Sequence, residues 1–308
     1  MVRLQGLIFR PPSEADSLII QATLGCSNNT CTFCYSYKQK KFQIRPLQDI
    51  MDDLLSAKQI YGEFVRKIFL ADGDALVMEN KDLLEILNFA YSIFPNLQRV
   101  GIYACATNIL KRENPLKELE ELRKAGLKII YLGVETGSDE ILKDVNKKMT
   151  AEDMFQASKY ILQAGIELSI TIIIGLGGKA KWKENAIETG KLLSRIGQVT
   201  TPENVYYVGA LSLIVPSKNR GYPVDTPLAR QVEQGKFQVL TSRELLEEMR
   251  LLVENINVNN KIIFRSNHAS NYLPLGGDLP QDKERLLKTI ESALKSEIEL
   301  RPEFLRGL

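Results

Sequence analysis

Runs of apolar, often β-branched residues alternate along this chain with segments whose apolar positions recur every three or four residues. The runs predict strands at residues 18–24, 66–71, 98–104, 128–134, 167–174, 204–214 and 261–265. Ile170-Thr171-Ile172-Ile173-Ile174 has the near-continuous apolar character of a strand covered on both faces. The periodic segments predict helices at 46–61, 80–94, 115–125, 151–164 and 181–196, with two more at 242–255 and 281–294. In one of them Leu116, Leu119 and Leu122 share a face, with Lys and Glu between them. The punctuation agrees. Thr150 precedes Ala151-Glu152-Asp153, a side-chain cap followed by acids in the first turn, and Gly126 and Gly165 stand where helices hand over to strands. Residues 216–238, rich in Pro, Gly, Lys and Arg, predict a long loop.

Strand–helix alternation of this kind is the mark of an α/β fold with parallel strands. Six or seven βα units joined by right-handed crossovers predict a partial or near-complete (β/α) barrel, and an open doubly wound sheet is the alternative. The expected organisation is a short lead-in over 1–17, a βα core over 18–215, and a C-terminal extension over 216–308 that completes the barrel mouth and the substrate site. In either architecture the site lies at the carboxyl ends of the strands. Unusual polar residues do fall there: Cys26, Asp72-Gly73-Asp74, residues 103–108, Glu135-Thr136-Gly137, Gly175-Leu176-Gly177-Gly178 and Arg265-Ser266-Asn267-His268.

Composition narrows the function classes. The chain has 308 residues, 44% hydrophobic and 25% charged, and 40 basic against 38 acidic residues give a net charge of +2. Nothing in that balance calls for DNA or an acidic membrane as partner. No apolar stretch approaches the roughly 20 residues of a membrane span, and the N-terminus lacks a signal-peptide core. The cysteines do not form a secreted disulfide framework, so a reducing cytoplasm is expected.

Three of the four cysteines lie in Gly25-Cys26-Ser-Asn-Asn-Thr-Cys31-Thr-Phe-Cys34-Tyr35. Thiolates packed this closely hold soft metals and iron–sulfur clusters, and three ligands leave a four-metal cluster one position for a substrate or cofactor. Zinc, with Cys105 or His268 as fourth ligand, is the bland alternative. Cys105 otherwise reads as a small buried apolar residue. Lys38-Gln39-Lys40-Lys41 reads as a solvated face, or alternatively as a patch that steers an acidic electron donor. His268, the single histidine, shares its polar run with Arg265, whose fork suits a carboxylate or phosphate. These two are the expected catalytic, substrate-contacting residues.

The cysteine loop, the Asp72-Gly73-Asp74 turn, the segment Tyr131 to Glu140 (YLGVETGSDE) and the segment Ile172 to Gly178 (IIIGLGG), in that order, resemble the radical S-adenosylmethionine superfamily. The nearest branch holds the oxygen-independent coproporphyrinogen oxidase-like and Elongator-catalytic-subunit-like proteins. That superfamily's commonest loop has three residues between its first two cysteines, and this chain has four, Ser27 to Thr30. The resemblance implies that Cys26, Cys31 and Cys34 ligate an oxygen-sensitive [4Fe-4S] cluster whose fourth iron binds S-adenosyl-L-methionine. Reductive cleavage would then give methionine and a 5′-deoxyadenosyl radical that abstracts hydrogen from a substrate. It further implies that Asp72, Gly73 and Asp74 receive the methionine ammonium, that Glu135 contacts the ribose or amino-acid end, and that Gly175 and Gly178 approach the adenine. Reduced ferredoxin or flavodoxin would be the electron donor, and a small molecule, a peptide or an RNA the substrate. With Cys105 alone outside the loop, no second cluster can be built, which sets the chain apart from methylthiotransferases and from maturases with auxiliary clusters. A non-catalytic cluster- or haem-binding protein on the same barrel is the alternative, with His268 and Cys105 as haem ligands.

Overall fold

The computed structural model describes residues 2–201, 204 and 206–307. Residue 205 of the strand predicted at 204–214 lies outside the described residues, as do residue 1 of the lead-in and residue 308 of the C-terminal extension. One sheet has eight strands: β1 (Leu18–Gln21), β2 (Lys67–Ala71), β3 (Arg99–Ala104), β4 (Leu127–Glu135), β5 (Glu167–Ile174), β6 (Tyr206–Ser212), β7 (Ile262–Ser266) and β8 (Leu275–Leu279), and they are neighbours in that order. The pairs β1–β2, β2–β3, β3–β4 and β6–β7 are parallel, while β7–β8 is antiparallel. A short antiparallel ribbon, Thr23–Leu24 with Gln43–Ile44, stands apart from the sheet. The chain divides into two compact units, of which the first gathers residues 2–29, 36–132 and 160–168 and the second 30–35, 133–159, 169–201, 204 and 206–307.

In the first unit, helices α1 (Leu47–Tyr61), α2 (Asn80–Ile93), α3 (Ala106–Leu110) and α4 (Pro115–Lys124) accompany the early strands. Ile20, Ile68, Leu70, Ile102, Leu54 and Leu87 are buried here, as continuous apolar strands and one-sided helices require. Pro115 opens α4 at the position where a missing N–H costs nothing, and Leu119 and Leu122 are buried. Phe69, Tyr103 and Tyr131 meet edge to face at 4.9–6.0 Å between ring centroids. Beside them the lead-in delivers a fully buried acid: Glu14 pairs with Arg99 at 2.6 Å and accepts hydrogen bonds from the hydroxyls of Tyr131 and Ser17. A buried carboxylate with that many donors is compensated.

In the second unit, α5 (Asp139–Asp144), α7 (Gly178–Gln198), α8 (Pro227–Glu233), α9 (Ser242–Asn255) and α10 (Lys283–Leu294) accompany the later strands. The remaining helix, α6 (Ala151–Gln163), starts at the predicted cap: the Asp153 amide donates to the Thr150 hydroxyl at 3.1 Å. A Cβ at Gly190 of α7 would stand 2.7 Å from Asn255 Cβ, so glycine sets the close approach of α7 to the end of α9. Residues 216–238, expected as loop, contain α8. Thr226 caps it by accepting from the Ala229 amide at 3.2 Å, and Pro227 occupies its first turn. Strand β8 was not predicted either, and it pairs with β7 through Gly276 opposite Arg265.

Candidate active site

The acidic turn after β2 meets the start of the cysteine loop within the first unit. Asp72 and Asp74 are both fully buried. Asp72 Oδ2 accepts the Gly25 amide at 2.7 Å and the Gln21 side-chain amide at 3.1 Å, and pairs with Lys40 at 2.9 Å. Lys40 is only 11% exposed, so the solvated face expected at 38–41 does not hold for this residue. The Lys38 ammonium donates to the Asn29 carbonyl at 2.9 Å. Asp74 accepts from the Ser27 hydroxyl, the Asn108 side-chain amide and, at 2.9 Å, the Cys105 amide. Burial pushes the Asp74 carboxyl above the usual range, while these donors pull it back. The Cys105 thiol also reaches Asp74, so Cys105 is a half-buried polar partner rather than a small apolar filler.

Between the acids, the Gly73 amide donates to the Gly25 carbonyl at 3.0 Å, and the Gly73 carbonyl lies 3.8 Å from Cys26 Sγ. A Cβ at Gly73 would stand 2.7 Å from Cys26 Cβ and 2.6 Å from the Tyr37 ring, so only glycine fits this seat.

The second half of the loop, residues 30–35, belongs to the second unit. The Thr32 amide donates to the Val145 carbonyl at 2.9 Å, and the Thr32 carbonyl accepts from the Leu228 amide at 3.0 Å. Phe33 packs on Ile141, Val145 and Leu176 on one side and on Val215, Leu228 and Ala229 on the other. Tyr35 meets Tyr222 edge to face at 5.1 Å. Cys31 is thereby buried and Cys34 half-buried, and no disulfide joins any of the four cysteines. Among the described residues no three His, Cys, Asp or Glu side chains are gathered as a metal-holding group.

Glu135 ends β4 with φ +68°, a left-handed conformation that costs a non-glycine residue on the order of 1–3 kcal/mol. Its Oε1 accepts from the buried Lys147 ammonium at 2.6 Å, and Lys147 is flanked by Asn146 (φ +55°) and Lys148 (φ +53°), also left-handed. A Cβ on Gly133 would run into that same carboxylate. Lys147 was not anticipated from the sequence. Ser138 caps α5, accepting from the Ile141 amide at 3.1 Å.

Gly175 (φ +88°) and Gly178 (φ +56°) form the turn after β5. The Gly175 amide donates to both oxygens of Glu248 at 3.0 Å, and Asn185 Nδ2 donates to Glu248 Oε1 at 2.6 Å. Glu248 is fully buried with no cation beside it in these contacts, and burial raises its carboxyl to about 8. Asn185 Oδ1 is buried without a hydrogen-bond partner. At Gly178 a Cβ would stand 3.0 Å from the Phe237 ring and 2.9 Å from the Gln238 carbonyl oxygen.

Arg265 and His268 sit on and just after β7. Arg265 is 46% exposed, and its Nη1 donates to the carbonyls of Phe264 at 2.8 Å and Gly277 at 3.1 Å, with Asp278 3.8 Å away. His268 Nδ1 accepts from the Ser270 amide at 3.1 Å, which places the ring proton of the neutral imidazole on Nε2. Burial first, and then Arg301, push its pKa down. Arg301 grips this loop by donating to the carbonyls of His268, Ala269 and Asn271 at 2.9–3.0 Å, and Arg306 donates to that of Ser270 at 2.7 Å.

The chain is 26% identical over 267 residues to a tRNA-2-methylthio-N(6)-dimethylallyladenosine synthase of Lachnoclostridium phytofermentans, covering 81% of this chain and 55% of that protein. It is 27% identical over 153 residues to an anaerobic magnesium-protoporphyrin IX monomethyl ester cyclase of Cereibacter sphaeroides, covering 49% of this chain and 24% of that one. The chain therefore spans about half the length, or less, of these curated relatives. Likeness to a methylthio-group synthase does not alter the cysteine count: outside the loop these 308 residues hold Cys105 alone. In fold, the chain resembles coproporphyrinogen III oxidase (HemN) from Escherichia coli, with a TM-score of 0.52, 16% identity and coverage of 77% of this chain and 51% of that one. The fold class is the expected α/β partial barrel. The family profile described as the Radical SAM superfamily matches residues 20–189, from the end of β1 through the Gly175–Gly178 turn into α7, and the chain belongs to that superfamily.

Proposed function

We propose that Cys26, Cys31 and Cys34 hold the [4Fe-4S] cluster that radical SAM enzymes use together with S-adenosyl-L-methionine. The donor chemistry suits such a cluster: three cysteines lie within nine residues of sequence. The cradle at Gly73, where a side chain would strike Cys26 Cβ, supports the same assignment. When bound, the pair supplies one-electron reductive cleavage of a sulfonium and, through it, abstraction of hydrogen from an organic substrate.

The chain's own residues bind and orient. The Gly73 carbonyl, beside Cys26, accepts from the ammonium of the methionine moiety. Glu135, held in its strained conformation by Lys147, offers a fixed acceptor to the ribose or amino-acid end, and the Gly175–Gly178 turn offers bare backbone to the base. On the substrate side the neutral His268 donates from Nε2, and Arg265 supplies a positive charge for an anionic group. Reduced ferredoxin or flavodoxin delivers the electron, in a reducing cytoplasm. No helix among the described residues is long and apolar enough to cross a membrane. The substrate is a small molecule, a peptide or an RNA, and the tRNA-directed relative supports the last.

The observation that carries this reading is the cysteine loop. Anaerobic reconstitution with iron and sulfide, followed by dithionite and S-adenosylmethionine, is expected to release methionine and 5′-deoxyadenosine. Protein that assembles no four-iron centre, or whose centre has an electron paramagnetic resonance (EPR) spectrum indifferent to S-adenosylmethionine, refutes it.

A further inference from the structure

We propose that Asp72 and Asp74 are positioning residues that fix the seat of Cys26 from its two sides, and that their carboxylates do not bind the cofactor. This role rests on Cys26 being a cluster ligand.

The contacts bracket Cys26 residue by residue. Asp72 takes the amide of the residue before it, Gly25, at 2.7 Å, and Asp74 takes the hydroxyl of the residue after it, Ser27. The Gly73 amide closes the middle onto the Gly25 carbonyl at 3.0 Å. Each acid then ties this bracket to the rest of the unit. Asp72 adds Gln21 and Lys40, while Asp74 adds Asn108 and the Cys105 amide.

Occupancy argues against a second use of these carboxylates. A carboxylate offers about four lone-pair sites. Asp72 already accepts from Gly25, Gln21 and, through both oxygens, Lys40. Asp74 accepts from Ser27, Asn108 and both the amide and the thiol of Cys105, and neither side chain is exposed. An incoming ammonium has no open face of either acid to meet. The Gly73 carbonyl, by contrast, lies beside Cys26, 3.8 Å from its Sγ.

The spacing of the loop supplies a reason for the bracket. With four residues between Cys26 and Cys31, the segment has more conformers to lose when both thiols engage one cluster. Anchoring Gly25 and Ser27 beforehand removes that freedom from the Cys26 end. Partners that orient a metal ligand typically carry 10- to 100-fold of metal affinity or activity.

The test is cluster retention in Asp74→Asn, Asp72→Asn and Ser27→Ala. The last removes the bracket at Asp74 without touching an acid, so it decides the matter if an acid variant fails to fold. Reconstituted variants challenged with an iron chelator are expected to lose iron about 10-fold faster than wild type or more. The EPR spectrum recorded before S-adenosylmethionine is added is expected to broaden, with KM for S-adenosylmethionine unchanged. In the cluster-free protein, iodoacetamide is expected to alkylate Cys26 faster in each variant, read by peptide mass spectrometry. Variants that retain iron like wild type and raise only KM would overturn the positioning role and return the acids to the cofactor. Wild-type protein that takes up no iron would instead overturn the cluster assignment itself.

Discussion

Glu248→Gln converts the buried carboxyl behind the Gly175 turn into a group that cannot titrate. Glu248 reaches from α9 to the amide of Gly175 and to Asn185 of α7, from a fully buried position. Burial raises the carboxyl from its ordinary value of 4.5 to about 8. The sign follows directly. Between those two values the folded protein keeps a proton that the unfolded chain has released, so stability falls as pH rises through this window. Below 4.5 both states are protonated and above 8 both are ionised, so the slope vanishes outside it. A tenfold difference in proton affinity between the two states corresponds to about 1.4 kcal/mol, so the full window is worth about 5 kcal/mol as an upper figure. Urea unfolding of wild type and Glu248→Gln at several pH values between 5 and 8 isolates the effect. The stability of wild type minus that of the variant is expected to fall by about 1.4 kcal/mol for each tenfold drop in proton concentration. A difference that stays flat, or that grows with pH, refutes the reasoning. A flat difference would mean that the Gly175 and Asn185 donors outweigh burial and hold Glu248 ionised across this range, as it is in the unfolded chain.

Lys147→Met strips the buried Glu135 carboxylate of its cation and is expected to destabilise the fold by about 3–5 kcal/mol, with Lys147→Arg closer to wild type; thermal unfolding distinguishes them. Gly137→Ala places a Cβ against the Glu188 carbonyl oxygen and 2.8 Å from Thr189 Cα, backbone that cannot swing aside. Its expected cost, read in urea, is about 1–3 kcal/mol. His268→Ala is expected to spare S-adenosylmethionine binding and to lower turnover of substrate; unchanged product formation by that variant removes His268 from the site.

Much of the scaffold was readable because strands covered on both faces leave unbroken apolar runs. The strand predicted at 167–174 coincides with β5 (Glu167–Ile174). The run at 18–24 misled only at its end: β1 stops at Gln21, and Thr23–Leu24 turns away to pair with Gln43–Ile44. Strand β8 escaped notice because Gly276, Gly277 and Asp278 are poor strand formers, held there by pairing with β7. Of the candidate site, the cysteines, acids and glycines at the strand ends were legible. Its wiring was not. Asp72 finds Lys40 across 32 residues, Glu135 finds Lys147 across 12, and the Gly175 amide finds Glu248 across 73, pairings that no local pattern records.

Glu14 carries a consequence for how this protein is made. Its hydroxyl donor Tyr131 follows 117 residues later, and its cation Arg99 follows 85 residues later. On the ribosome, where the amino-terminal part of a chain emerges first, that carboxylate must remain in water until the 117 residues that separate it from Tyr131 have been added. A nascent chain arrested before Arg99 emerges therefore cannot bury this acid, and the sealing of the first unit has to follow translation of β4.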